Sequence, residues 1–121
     1  MVLITSNKAR RLLYISYFGQ VRPGDMTRQQ PDLKELLAEL QPDFRVLADF
    51  SELEAMDLDC MPELGRNMEL IDRSGVGLIV RVIPDPTKDI GLNIFSIFHL
   101  PHHPQIATCK TMTEAGVTLG L

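Results

Sequence analysis

The chain contains no tryptophan, only two cysteines and only three histidines in 121 residues. Cys60 and Cys109 lie far apart and form no C-x-x-C pair, so neither a disulfide framework nor a ribbon-type metal site is written into the sequence. Reduced thiols in a cytoplasmic protein are the expectation. No run of basic residues occurs. The formal net charge is -4, and charges of both signs are scattered, which disfavours a nucleic-acid binder or a polybasic membrane contact. The opening residues, Met1 to Lys8, hold too few apolar side chains for a signal peptide or a membrane span. Nor is there a 20-to-50-residue repeat or a low-complexity tract, which argues against a solenoid or a tail. What remains is a composition 45% hydrophobic, suited to one globular domain over residues 1–121 that builds its core without metal or disulfide.

The hydrophobic pattern divides this chain into short apolar runs and helical repeats. Val2 to Thr5 and Arg11 to Phe18 read as an opening β-hairpin. Gly19 to Gln30, with its Pro23-Gly24-Asp25 turn signal, reads as a long loop. From Pro31, Leu33, Leu36, Leu37 and Leu40 take helical spacing, and Pro42 ends the element. Phe44 to Phe50 is a buried-type strand. A helix from Cys60 to Arg73 follows, carrying Leu64, Met68 and Ile71 on one face, with Asp59 as its cap and Pro62 in its first turn. Val76 to Ile83 is a further apolar strand, expected parallel to the previous one. Residues 89–98 are read as a helix, although 93–99 could also extend. Gln105 to Lys110 forms a last strand, and Thr113 to Leu119 a short helix capped by Thr111 or Thr113. The order β-β-α-β-α-β-α-β-α predicts an α/β domain with one mixed, mostly parallel sheet and helices packed against it.

Ligands tend to meet such a sheet beyond the carboxyl ends of its strands, which draws attention to Asp49-Phe50-Ser51 and the acids that follow. Asp49, Asp57 and Asp59 have the oxygen ligands for a divalent ion, but one N-cap and two solvated loop acids account for them with fewer converging groups. His99, His102 and His103 stand in a run stiffened by Pro101 and Pro104, and neighbouring side chains on an extended backbone diverge. The run is read as an exposed loop, with no metal and no cofactor assigned. Cys60 at a helix start would gain thiolate character, but the adjacent Asp59 opposes it, so both cysteines are read as packing residues and no catalytic residue is assigned. Arg10, Arg11, Arg22 and Arg28 read as a solvated rim, although Arg22 and Arg28 could meet an anionic ligand or acidic partner. Met56, Met61 and Met68 could form a plastic contact surface; Met68 is expected in the core.

From Asp49 to Asp59 the chain resembles the sulfate-transporter and anti-sigma-factor-antagonist (STAS) domain family, in its divergent SpoIIAA-like branch. That family carries D-L-S-x-V-x-x-x-D-S-S-G at the end of its third strand. Asp49, Ser51 and Asp57 match as they stand, Phe50 and Leu53 match in kind, and Gly19 resembles the glycine after the second strand. The element order agrees over nearly the whole chain. The resemblance implies a non-catalytic regulatory module that binds a protein partner, an anti-sigma-like protein or a regulatory kinase. Its best-understood members switch when a serine at this helix start is phosphorylated. Here Leu58 and Asp59 occupy the serine positions and Cys60 the glycine, so the hydroxyl is missing and a permanent carboxylate stands in its place. Gly19, Arg22, Ser51, Asp57, Asp59 and Met61 are accordingly the candidate partner-binding residues. A small-ligand domain of the lipid or nucleotide kind is the alternative, and a metal- or thiol-dependent enzyme using the histidines with Cys60 a third. A pocket of roughly 300 Å³ or more would favour the ligand, an exposed Met and Leu patch the protein partner, and converging His and Cys atoms the enzyme. A homodimer is also compatible, since an opening hairpin leaves an edge strand to cover.

Overall fold

Strands β1 (Val2–Asn7) and β2 (Leu12–Tyr17) pair antiparallel as the expected hairpin, with Val2 opposite Tyr17 and Asn7 opposite Leu12. The structure, a computed structural model, describes residues 1–85, 95, 96 and 99–121. After β2 the chain makes a three-residue strand β3 (Gly19–Val21) and a 17-residue helix α1 (Pro23–Glu39). Strand β4 (Arg45–Asp49) leads into a short β5 (Leu53–Met56), a 3-10 turn at Leu58–Cys60 and helix α2 (Met61–Arg73). Strands β6 (Leu78–Val82) and β7 (Gln105–Cys109) and helix α3 (Met112–Leu119) complete the described elements. The main sheet has the order β1-β2-β4-β6-β7, and every pairing after the hairpin is parallel. Mixed, mostly parallel and helix-covered, the sheet agrees with the sequence expectation. Most of the expected helix over 89–98 lies outside the described residues; Phe95, Ser96 and His99 are helical.

The central strands are apolar almost throughout because both faces of the sheet are covered. Leu13, Ile15 and Tyr17 of β2, Val46 of β4 and Ile79 of β6 pack with Met26, Leu33 and Leu37 of α1 and Leu64 and Ile71 of α2. On the opposite face Leu47, Val80, Val82 and Cys109 meet Ala115 and Leu119 of α3. Of the two caps the sequence offered, Thr111 and Thr113, it is Thr111 that caps α3, its hydroxyl accepting from the Glu114 N–H.

Two expectations are corrected. The stretch from Gly19 to Gln30 is not a long loop, and α1 begins eight residues before Pro31. Pro23 occupies its first turn, where a missing N–H costs nothing. Met26 extends the buried stripe of Leu33 and Leu37 backwards, so the apolar face decides the helix start over the proline. Pro31 lies inside the helix at an exposed position, where water can serve the carbonyl the ring leaves unpaired.

Asp25, third in α1, accepts from the Arg22 N–H at 2.9 Å. Arginine offers no acceptor, so the reciprocal half of a capping box is absent. That hydrogen bond, followed by the nearby N-terminal amino group and Arg28, holds the Asp25 carboxyl below its ordinary value. A carboxyl depressed by folding contributes stability above its unfolded pKa, and the contribution disappears as pH falls through the folded value. Asp25→Asn is therefore expected to lower stability by about 0.5 to 1 kcal/mol at neutral pH and to match wild type at pH 2, in urea titrations at both pH values.

Candidate functional site

The carboxyl ends of β2, β4, β6 and β7 share one edge of the sheet, and the chain builds a second layer over it. Gly19 turns the chain off β2 with φ of 58°, a left-handed conformation that costs other residues about 1–2 kcal/mol. Its N–H donates to the Glu52 carbonyl at 3.0 Å, and β3 then pairs in parallel with β5. Across this ribbon the Gln20 side-chain amide donates to an Asp57 carboxylate oxygen at 3.2 Å, and the Asp57 N–H donates to the Val21 carbonyl at 3.2 Å.

Asp49, at the end of β4, is buried. One carboxylate oxygen accepts from the Tyr14 hydroxyl at 3.2 Å and the other from the Ser51 N–H at 2.9 Å. The Ser51 bond closes a turn two residues long, which directs the chain out of the sheet and into β5. Beside it, the Phe50 ring stacks on Tyr17 with centroids 4.6 Å apart, and burial pushes the Tyr17 hydroxyl well above its usual pKa.

Asp59 stands at the entrance of α2, exposed, but it does not cap the helix. It lies inside the 3-10 turn, and α2 begins at Met61 with Cys60 in the N-cap position and no side-chain cap bond. A cap is unnecessary because the turn runs directly into the helix: the Cys60 N–H donates to the Asp57 carbonyl and the Met61 N–H to the Leu58 carbonyl, and Pro62 has no N–H to satisfy. Leu58, on the outside of this turn, is 84% exposed. A leucine so exposed, flanked by two acids, is an apolar tip presented to solvent.

Behind that turn lies a cavity of about 440 Å³. Phe50, Leu53, Met56, Met61, Leu64 and Ile83 form its apolar wall, and Ser51, Glu54 and Asp85 are also on its lining. The volume falls within the range of small-molecule sites. Of the residues singled out by sequence, Ser51 and Met61 line the cavity, whereas Gly19 and Asp57 shape the ribbon beside it. Arg22 is exposed at the start of α1, and Asp59 is exposed on the turn. In the sequence Leu64 and Ile83 read as ordinary core and Leu53 only as a match in kind to the family motif; their position around the cavity beyond the strand ends is what marks them.

The cysteines and histidines are placed differently. Cys60 is fully buried with its thiol 3.5 Å from the Val21 carbonyl, and burial first, then the Asp57 charge, push the thiol up, away from the thiolate a nucleophile requires. His99 is only half-buried rather than exposed: its Nδ1 lies 2.9 Å from a Glu69 carboxylate oxygen, and its ring covers Gly65 so closely that a Cβ there would come within 2.7 Å of it. The His102 ring is exposed, yet its Nδ1 bonds the buried Asp72 carboxylate, which also accepts the His102 N–H at 3.3 Å. The run thus straps the chain before β7 onto α2. Among the described residues, no three His, Cys, Asp or Glu side chains converge as a metal site. Arg10 and Arg11 occupy the hairpin turn at the other end of the sheet.

An antiparallel hairpin continued by parallel strands, with α1 and α2 on one face and α3 on the other among the described residues, gives this chain the SpoIIAA-like fold. Three solved structures carry that assignment. A DUF3478-family protein with a SpoIIAA-like fold from Shewanella loihica PV-4 superimposes with a TM-score of 0.73 at 15% identity, covering 98% of this chain and 92% of the other. The Bacillus cell fate determinant SpoIIAA in its phosphorylated form gives 0.65 at 16% identity, over 98% and 99% of the two chains. The anti-sigma factor antagonist SpoIIAA in its unphosphorylated form gives 0.64 at 16% identity, over 98% and 96%. No family profile matches the chain, and no curated protein sequence does. No helix among the described residues is long and apolar enough to cross a membrane.

Proposed function

We propose that this chain is a non-enzymatic cytoplasmic regulatory module that recognises a protein partner through the 3-10 turn at the mouth of α2 and the β3–β5 ribbon beside it. The observation that carries this reading is Leu58, an exposed apolar side chain between Asp57 and Asp59 on a backbone held by its own hydrogen bonds. The complementary partner offers an apolar pocket rimmed by basic groups. Gly19, Arg22, Ser51 and Met61 surround the contact. The fold's resemblance to anti-sigma factor antagonists supports the same class of task. With Asp59 where relatives carry a modifiable serine, the surface is constitutively negative and does not toggle there. Buried, free Cys60 and Cys109 suit a reducing compartment, and the outer edge of β1 suits a second copy of the chain.

Affinity capture from the native cytoplasm with wild type, Asp57→Lys and Leu58→Glu in parallel tests the surface. Both sites are outside the core, so circular dichroism should be unchanged while a shared set of partners is lost from both variants. Partner sets identical to wild type would place the contact elsewhere.

A second reading rests on the cavity, whose size favours a small apolar ligand over a purely flat protein contact. The two readings occupy adjoining ground, since Met61 follows the turn that presents Leu58 and also lines the cavity.

A further inference from the structure

The tip at Leu58 calls for an apolar pocket beside basic groups, and the chain carries one at its other end. Between the C-terminal ends of α1 and α2 lies a notch of about 310 Å³. Leu37 and Leu40, both buried, are its floor, and exposed Ala38 and Pro42 and half-buried Leu70 are its sides. Exposed Lys34 is the charged residue among the described ones that line it, and it has no ion-pair partner among the described residues. Gln41, between Leu40 and Pro42, accepts from the Arg11 guanidinium at 3.4 Å, which brings a second cation alongside. Of the acids at this end, Glu39 is paired with Lys8 at 3.2 Å and the Asp43 carboxylate lies against Gly77, leaving Glu35 against Lys34 and Arg11.

We propose, resting on the reading of Leu58 as a protein contact, that this notch receives the Leu58 tip of a second copy of the chain, so that copies join head to tail. The two surfaces cannot meet within one chain: Leu58 precedes α2, the notch lies at its end, and the 13 helical residues between span about 20 Å. Docking buries Leu58, the most exposed large apolar side chain among the described residues, against Leu37, Leu40 and Leu70. Asp57 and Asp59 then come beside Lys34 and Arg11. Asp59 is exposed with no cation paired to it among the described residues, and Asp57 is bonded to the neutral Gln20 amide, so both keep a charge to offer. The C-terminal ends of the two helices are themselves partly negative, so the affinity comes from burying the leucine and the cations fix its orientation. Because tip and notch are different patches, the contact is heterologous and leaves a free tip and a free notch on every oligomer.

Two half-blocked chains test this. Leu58→Glu removes the tip and keeps the notch, whereas Ala38→Trp fills the notch from an exposed helical position and keeps the tip. A contact this small is weak, so association is read by sedimentation velocity at roughly 0.1–1 mM protein, with circular dichroism to check each fold. Wild type is expected to form oligomers that lengthen with concentration. Each variant alone should sediment as a monomer, its affinity lowered roughly ten- to a hundredfold by the loss of one buried leucine contact, and the equimolar mixture should form a dimer and nothing longer. Asp59→Lys should weaken association, and adding Lys34→Asp should restore it. A wild type that stays monomeric across that range, a mixture that stays monomeric, or a charge swap that restores nothing overturns the proposal. So do oligomers that survive Leu58→Glu, the outcome of a dimer paired through the edge of β1. Where self-association fails but Leu58→Glu still loses captured partners, the head-to-tail contact is overturned and the protein-contact reading stands.

Discussion

Asp49→Ala is expected to destabilise the protein by about 3 kcal/mol, because removing the carboxylate strands two donors at once. The Tyr14 hydroxyl comes from β2 and the Ser51 N–H from the turn that leaves the sheet, and a hydrogen bond to a charged acceptor contributes about 1.5–3 kcal/mol. Asp49→Asn keeps one oxygen as an acceptor and should lose only about 1 kcal/mol. Chemical denaturation of the two variants measures the difference. The loss should also be local: hydrogen exchange at the amides of Ser51 to Leu53 should accelerate more than exchange in α3, since this carboxylate holds the exit toward β5 and the cavity. Equal losses for Ala and Asn would mean that the side chain acts through its volume and not through its two bonds.

Phe44→Ala is expected to cost about 3–5 kcal/mol, among the largest effects available to a single substitution in this chain. Phe44 is fully buried within the core that joins α1, α2 and the sheet, and its carbonyl accepts the Gly77 N–H at 2.8 Å where β4 and β6 start in register. The alanine leaves a void between elements already fixed by the parallel ladder, so little collapse can refill it. Each kcal/mol should appear as about 4 °C in the thermal midpoint. Phe44→Leu, which retains most of the volume, should cost less than half as much. A Phe44→Ala midpoint within a few degrees of wild type would place this ring outside the tightly packed core.

Neither residue lies at the proposed contact turn, yet Asp49 bears on how that turn is presented. Asp49 directs the chain out of β4 toward β5, and β5 holds Asp57 against Val21 and Gln20. Partner loss in Asp57→Lys and Leu58→Glu at unchanged stability is therefore separable from the loss expected when Asp49 is removed.

The alternation of strands and helices was legible in the sequence because β4 and β6 are covered on both faces and must be apolar along their length, while Pro42, Pro84 and Gly75 bound them. The ends of α2 and the Thr111 cap of α3 were legible for a similar reason: each signal acts within one helical turn. Legibility failed where a local signal competed with packing. Pro31 reads as a helix start, but the stripe of Met26, Leu33 and Leu37 makes it an interior residue. Asp59 reads as a cap, but the 3-10 turn has already supplied the carbonyls that a cap would replace. The β3–β5 ribbon is too short to carry a period, and its hydrogen bonds join residues more than thirty apart.

By itself the sequence determined an α/β chain with the order of elements of a SpoIIAA-like fold and an acidic, hydroxyl-poor entrance to α2. Each of these is a property of neighbouring residues or of composition. The tertiary structure decided what no single stretch contains. It brings residues from the end of β4, β5, the start of α2 and the end of β6 around one cavity, pairs His99 with Glu69 and His102 with Asp72, and leaves Leu58 outside every core. The physical reason is range: propensity and capping act over a few residues, whereas a cavity is set only when distant segments are packed side by side.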